Sequence, residues 1–159
     1  MPDLKLIALD AEDLSVVSAH LQDAVLRVAD MAYLPREKRF AALANRFDWD
    51  KALSTEGKPV KPKRGSAGLE RRRTGLRVER VLSAKVTGID LKDRHATFAL
   101  LAIAFTPSAD LDAPDGDVTL TFSGAAAIRL KVECLEFEMK DLGAVWSTKN
   151  SPAHPDDEV

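Results

Sequence analysis

The stretch from Val118 to Gly143, VTLTFSGAAAIRLKVECLEFEMKDLG, constrains this chain more than any other. Val118, Leu120 and Phe122 alternate with Thr119, Thr121 and Ser123. Ile128, Leu130, Val132 and Cys134 alternate with Arg129, Lys131 and Glu133. A period of two with one apolar face describes a sheet packed on one side and wet on the other. The stretch reads as two long antiparallel strands, and the remainder of the chain must supply what covers their apolar face.

Upstream, Leu4, Leu6 and Leu9 with Ile7 between them form a short first strand. Asp10 is placed to cap a helix over about residues 11–23, its side chain accepting from the amide of Asp13, with Leu14, Val17, Leu21, Ala24 and Val25 on one face. Leu26 to Leu34 and Phe40 to Trp49 read as strands around a turn at Pro35-Arg36-Glu37-Lys38, with Leu43, Phe47 and Trp49 sharing a face. A strand from Leu76 to Val86 is interrupted by Arg80 and ended by Gly88. His95 to Thr106 follows; its centre, Ala99 to Phe105, is apolar at every position, the pattern of a central or doubly covered strand. One strand, one helix and then six or seven strands predict an α+β, mostly β fold: a bent antiparallel sheet or partly open barrel with the N-terminal helix packed on it.

At 159 residues the chain has enough length for one self-sufficient core, assigned to residues 1–147. Lys51 to Arg73 is rich in proline, glycine and charge and reads as a mobile basic loop inside that domain; residues 148–159 read as a disordered tail. With Cys134 the sole cysteine, no internal disulfide can form, which fits a reducing compartment. The acidic start, MPDLKLIALDAEDL, lacks the cationic flank and apolar run of a signal peptide, and Ala99 to Phe105 is too short to cross a bilayer. The expectation is a cytoplasmic protein with no membrane partner.

Three separated blocks, LIALDAEDLSVVSAHLQDAVLRVADMAYLPREKRFAALANRFDW, RRRTGLRVERV and AAAIRLKVECLEFEMKDLGAVW, resemble a bacterial family catalogued as a domain of unknown function and known mainly from alphaproteobacteria. The resemblance spans the chain to about Pro155. It implies a small stand-alone protein and carries over no catalytic residue, cofactor or substrate.

Charge is the sharpest local asymmetry. Residues 51–80 hold ten cations and three carboxylates, a net +7 in a chain whose total is −2, so the rest carries −9. Arg71, Arg72, Arg73 and Arg77, with Lys61, Lys63 and Arg64, are the candidate ligand-binding residues. On an extended backbone Arg71, Arg73 and Arg77 point one way and Arg72 the other, and each guanidinium can grip an oxyanion with paired donors. The segment lacks the aromatics that stack bases. The competing reading is a solvated run, or one that pairs with Asp156, Asp157 and Glu158.

The other chemistry is sparse. His20, His95 and His154 have no metal-ligand spacing. Cys134, in phase with Leu130 and Val132, reads as a small buried hydrophobe, and Glu133, Glu136, Glu138 and Asp141 as mostly solvent-facing. GSAG at Gly65 is not a phosphate loop, and no Gly-x-Ser-x-Gly is present. No cofactor, metal or catalytic residue is expected. Two function classes remain: a non-catalytic binding or interaction module with a protein partner, and alternatively a binder of nucleic acid or a phosphate ligand through the basic segment. An enzyme is a third class without a supporting motif.

Overall fold

The computed structural model describes residues 4–47 and 70–147. The elements run β1 (Lys5–Ala8), α1 (Ala11–Leu21), β2 (Val25–Leu34), β3 (Arg39–Phe47), β4 (Glu70–Val78), β5 (Val81–Thr87), β6 (Thr97–Pro107), β7 (Gly116–Phe122), β8 (Ala126–Val132) and β9 (Phe137–Ser147). The strands make one antiparallel sheet in the order β1-β9-β4-β3-β2-β6-β7-β8-β5. The chain is therefore mostly β, with an N-terminal helix packed on a bent, open sheet.

The opening stretch folds as three strands, not two. β7 and β8 pair with Val118 opposite Leu130 and Leu120 opposite Ile128, so one buried row faces another. Their turn passes through Gly124 and Ala125, both at positive φ, 74° and 60°. After Val132 the alternation slips by one: the inward residues become Leu135, Phe137, Met139 and Asp141. Cys134 thus leaves the inner face and is only half-buried.

The same slip splits the strand expected from Leu76 to Val86. Leu76 and Val78 are buried, then Arg80 takes φ 62° and Val81 is the next inward residue. The two breaks lie side by side. Glu79 N–H donates to Glu136 O at 3.0 Å and Glu133 N–H to Arg80 O at 2.9 Å. β4–β5 and β9–β8 thus turn one shared corner, and an extra residue in each strand is what lets a ladder bend so sharply. On the other side β2 is bulged between Leu26 and Met31; its start pairs with both β3 and β6, and beyond the bulge Met31 to Leu34 pairs with β3.

α1 lies against β6, β1 and β3. Asp10 caps it, accepting from Asp13 N–H at 2.7 Å. Leu14, Val17 and Leu21 are buried, and the Ser18 hydroxyl accepts the Ile103 amide at 2.9 Å. The helix stops at Leu21, earlier than its apolar spacing predicts, because Asp23 turns to φ 65° and Ala24 bonds across to Leu100. On β3 the buried face is Phe40, Ala42, Ala44 and Arg46; Leu43 and Phe47 share the outer face, and Trp49 lies outside the described residues. Alanines stand inward there because the helix and β3 come into contact. β6 is central but not doubly covered: Leu100 and Ile103 are buried while Leu101 is 48% exposed.

Two expectations about irregular segments fall largely outside the described residues: the loop up to residue 69 and the tail 148–159. The remainder of the expected loop, Glu70 to Arg73, belongs to β4, paired with β3 on one side and β9 on the other.

Leu130 is fully buried in the face that the β7–β8 alternation builds. Leu130→Ala is expected to cost about 2–5 kcal/mol by cavity formation, whereas Leu101→Ala on the outer face stays within about 0.5 kcal/mol. Urea denaturation measures both, and equal midpoints for the two variants would contradict the facing.

Candidate functional site

The end of the sheet where β3 leaves and β4 enters carries two sets of polar residues, one on each face. On the inner face the Arg46 guanidinium clasps the Asp141 carboxylate, Nε to Oδ1 at 2.9 Å and Nη2 to Oδ2 at 2.7 Å. Thr74 Oγ1 donates to Oδ1 at 2.8 Å and the Leu4 amide to Oδ2 at 3.1 Å. Arg46 Nη1 donates to Phe47 O at 3.1 Å. The two side chains are 2% and 1% exposed, and Arg72 is buried nearby on the same face. Burial alone would push the Asp141 carboxyl up; the hydrogen bonds from Arg46 and Thr74, the Arg46 charge and the Leu4 amide outweigh it and hold the group below its ordinary value of 3.8. Both Asp141 oxygens and all three Arg46 nitrogens are bonded to protein atoms, so the role of the clasp is to lock β3, β4, β9 and the residue that leads into β1 together.

Asp141 corrects the expectation that it faces solvent. Arg46 and Asp141 were both detectable as charges on the buried phase of their strands: Arg46 follows Phe40, Ala42 and Ala44, and Asp141 follows Phe137 and Met139.

On the outer face β4 presents Arg71, Arg73 and Arg77 and turns Arg72 inward, as strand alternation requires. These three do not act alike. Arg77 is held by Glu79 at 2.9 Å and by Glu138. Arg71 lies opposite Phe47, its guanidinium 5.2 Å from the ring centre, and Arg73 lies opposite Asn45. Both are half-buried, and Arg71 Nε, Arg73 Nε and Asn45 Oδ1 are buried atoms with no hydrogen-bond partner among the described residues. A buried donor without a partner costs about 1–3 kcal/mol. The structure thus brings together Arg71 and Arg73, sends Arg72 to the interior and neutralises Arg77. Lys61, Lys63 and Arg64 lie outside the described residues.

Next to Arg73 the same face holds a groove of about 330 Å³ whose lining includes Ala41, Leu43, Gly75 and Leu142, with two cations, Arg77 and Lys140, and two carboxylates, Asp30 and Glu138. Leu142 is 53% exposed there. Gly75 forms part of its lining. A Cβ added at Gly75 would meet only Leu142 Cδ1 and the Lys140 carbonyl, each at 3.8 Å, an ordinary contact. Neither packing nor backbone conformation demands a glycine at this position. A glycine inside a strand is weakening, and it marks places where another group approaches closely.

The remaining candidates do not converge. His20 lies in α1, His95 is exposed after the 90–94 turn, and His154 is outside the described residues. Among the described residues no group of three or more His, Cys, Asp or Glu is placed to hold a metal ion. No helix among them is long and apolar enough to cross a membrane.

A family model described as a protein of unknown function, DUF2948, matches residues 4–154. The chain belongs to this family. No curated protein and no solved structure matches it, so membership of the family brings no residue role with it, and the geometry above carries the functional argument.

The clasp has a pH signature. The folded Asp141 keeps its charge to lower pH than the unfolded one, so its contribution is complete above the ordinary value of 3.8 and is lost as pH falls below it, through the depressed folded value. Asp141→Asn is expected to flatten the stability-versus-pH curve in that window. At neutral pH it is expected to cost about 3–5 kcal/mol by leaving Arg46 buried without a counterion, while Arg46→Met/Asp141→Leu together cost far less. Urea titrations at a series of pH values measure all three; a single variant no worse than the double one would sink the assignment.

Proposed function

We propose that this protein is a non-catalytic binding module that docks an acidic, extended segment of a protein partner on the outer face of β3, β4 and β9. The observation that carries this reading is the pair of half-buried guanidiniums, Arg71 and Arg73, with unpartnered Nε atoms beside an apolar groove that includes a glycine not needed by the fold. A carboxylate side chain meets the arginines, and a large apolar side chain further along the segment fills the space over Gly75 and Leu43. Side chains of one extended segment that are two apart point to the same face, which suits this spacing. Lys140, exposed at the groove, adds a third cation, and of the two carboxylates there Glu138 is paired with Arg77.

A protein segment fits this face better than a nucleic acid. Phe47, opposite Arg71, already carries that guanidinium over its ring rather than offering it to a base. Arg77, which would extend the cationic strip, is occupied by Glu79 and Glu138. The single half-buried cysteine, Cys134, is in keeping with a reducing cytoplasmic setting, which is part of this proposal.

The test uses fluorescence anisotropy with the full chain and three labelled probes: a peptide alternating Glu with Leu, the same peptide with Lys for Glu, and a single-stranded oligothymidylate. The Glu peptide alone is expected to bind, more weakly as salt rises. Arg71→Ala/Arg73→Ala is expected to weaken it by about tenfold or more, the scale of two lost charge-assisted hydrogen bonds. Gly75→Leu is expected to abolish it while leaving the urea midpoint unchanged or higher. Binding of the oligonucleotide but not of the Glu peptide, lost in the same variants, would move the assignment to the nucleic-acid alternative. No binding of either probe, or a Gly75→Leu variant that binds normally, overturns it.

A further inference from the structure

The sheet is incomplete where β2 and β5 approach each other. Among the described residues β5 pairs with β8 alone, and the second half of β2, Met31 to Leu34, pairs with β3 alone, since β6 has already left it after Arg27. Between the two strands lies a cleft of about 190 Å³. Met31 and Tyr33 of β2 form one wall, and Ala84 and Val86 of β5 the other. Its floor is Phe40 and Ile128, 4% and 2% exposed, so it ends against the core rather than running along the surface. It is distinct from the outer-face groove and shares with it only Ala32 and the β2–β3 hairpin that separates them.

One charge reaches this cleft. The connection from β5 to β6 brings Leu91 and Arg94 to the mouth, and among the described residues no carboxylate lines it. The acids of that connection, Asp90 and Asp93, do not line the cleft: Asp90 Oδ1 accepts the Lys92 amide at 3.0 Å, and the Asp93 backbone closes the turn, its carbonyl accepting the Ala96 amide at 3.2 Å and its amide donating to Asp90 O at 3.1 Å. Arg94 is exposed, and its only side-chain bond among the described residues is a long one, Nη2 to Ala29 O at 3.5 Å. Its backbone is fixed by the Ala29 amide, which donates to Arg94 O at 3.0 Å, so the side chain starts from a fixed point at the opening.

We propose that this cleft binds a small amphiphilic carboxylate, with a single ring or short acyl chain between Met31, Val86 and Ile128 and the carboxylate on Arg94. The size fits: an apolar cavity of about 150 Å³ holds a benzene molecule, and this one has room for a ring with a short side arm. The chemistry fits as well. An apolar interior with one polar group at the edge is how small-ligand sites orient their occupant, and a planar guanidinium is matched to a carboxylate rather than to an amide or alcohol. The blind floor selects a free small molecule over a peptide, whose main chain would need to continue past Phe40.

The experiment follows methyl resonances of Met31, Val86 and Ile128 in the full chain while phenylacetate, hexanoate or the neutral phenylacetamide is added. Saturable shifts at these methyls are expected for both acids, with the amide binding about tenfold more weakly. Arg94→Gln removes that difference, because the residue is exposed and its loss leaves the fold intact. Filling the cleft with Ala84→Leu, or with Val86→Phe should the first be poorly folded, abolishes the shifts for all three probes. Absence of saturable shifts at about 10 mM probe, a range that reaches millimolar affinities, overturns the proposal. So does an Arg94→Gln variant that still prefers acid to amide, or a filled cleft that binds as before.

Discussion

The fold depends on one corner. β4 runs into β5 and β8 into β9 with a shared bend at Glu79–Arg80 and at 133–136, held by the Glu79–Glu136 and Arg80–Glu133 backbone bonds. A strand cannot fold sharply while keeping its side-chain parity, so each gives up one residue of alternation there. That slip lets Leu130 and Val132 on one side of the bend and Phe137 and Met139 on the other all point into the same core. Without it, the rows beyond the bend would turn to solvent, since a shift of one residue inverts every side chain downstream.

The buried clasp is the second constraint, and it is local where the corner is global. An ion pair removed from water gains little net stability against an apolar replacement of equal shape. What it specifies is position. Asp141 satisfies its oxygens only if the β3, β4 and β9 side chains and the β1 backbone stand in one register, with Arg46, Thr74 and Leu4 all within hydrogen-bond distance. The neighbouring outer face is then presented on a backbone that has little freedom to adjust, a useful property for a surface on which Arg71 Nε and Arg73 Nε have no hydrogen-bond partner among the described residues.

Much of this was legible in the residues. The Asp10 cap, the Pro35–Lys38 turn and the alternating faces of β7 and β8 depend on neighbours in sequence, and local rules found them. The corners did not show, because nothing about Glu79 or Glu136 alone marks a bend; only their pairing with each other does. Arg71 to Arg73 looked like loop because their side chains are charged, yet a strand flanked by β3 and β9 satisfies its backbone on both edges whatever its side chains are. The sequence places Leu43 and Phe47 on one face of β3 without saying which face is inward; the inward one is the alanine face, because the helix lying against the sheet favours small residues. At the candidate site the co-facial placement of Arg71, Arg73 and Arg77 followed from the sequence. Of the two ion pairs that occupy Arg77, the one to Glu79 is local, whereas the one to Glu138 and the Lys140 and Leu142 wall of the groove beside Gly75 come from β9, a strand distant in the chain, and had no local signal.

The pairing of the first strand with the last also sets an order of events in biosynthesis. Among the described residues β1 has β9 as its one ladder partner, and Arg46 is separated from Asp141 by 95 residues. At about 5–20 residues per second of synthesis, that interval lasts roughly 5–20 s. Through it the N-terminal strand has no ladder, and the guanidinium destined for the interior has no counterion to take with it. A nascent chain in that state gains nothing by burying Arg46, so the core around α1 and β3 stays open at this end until Asp141 arrives. The last strand to be made is the one that seals the first.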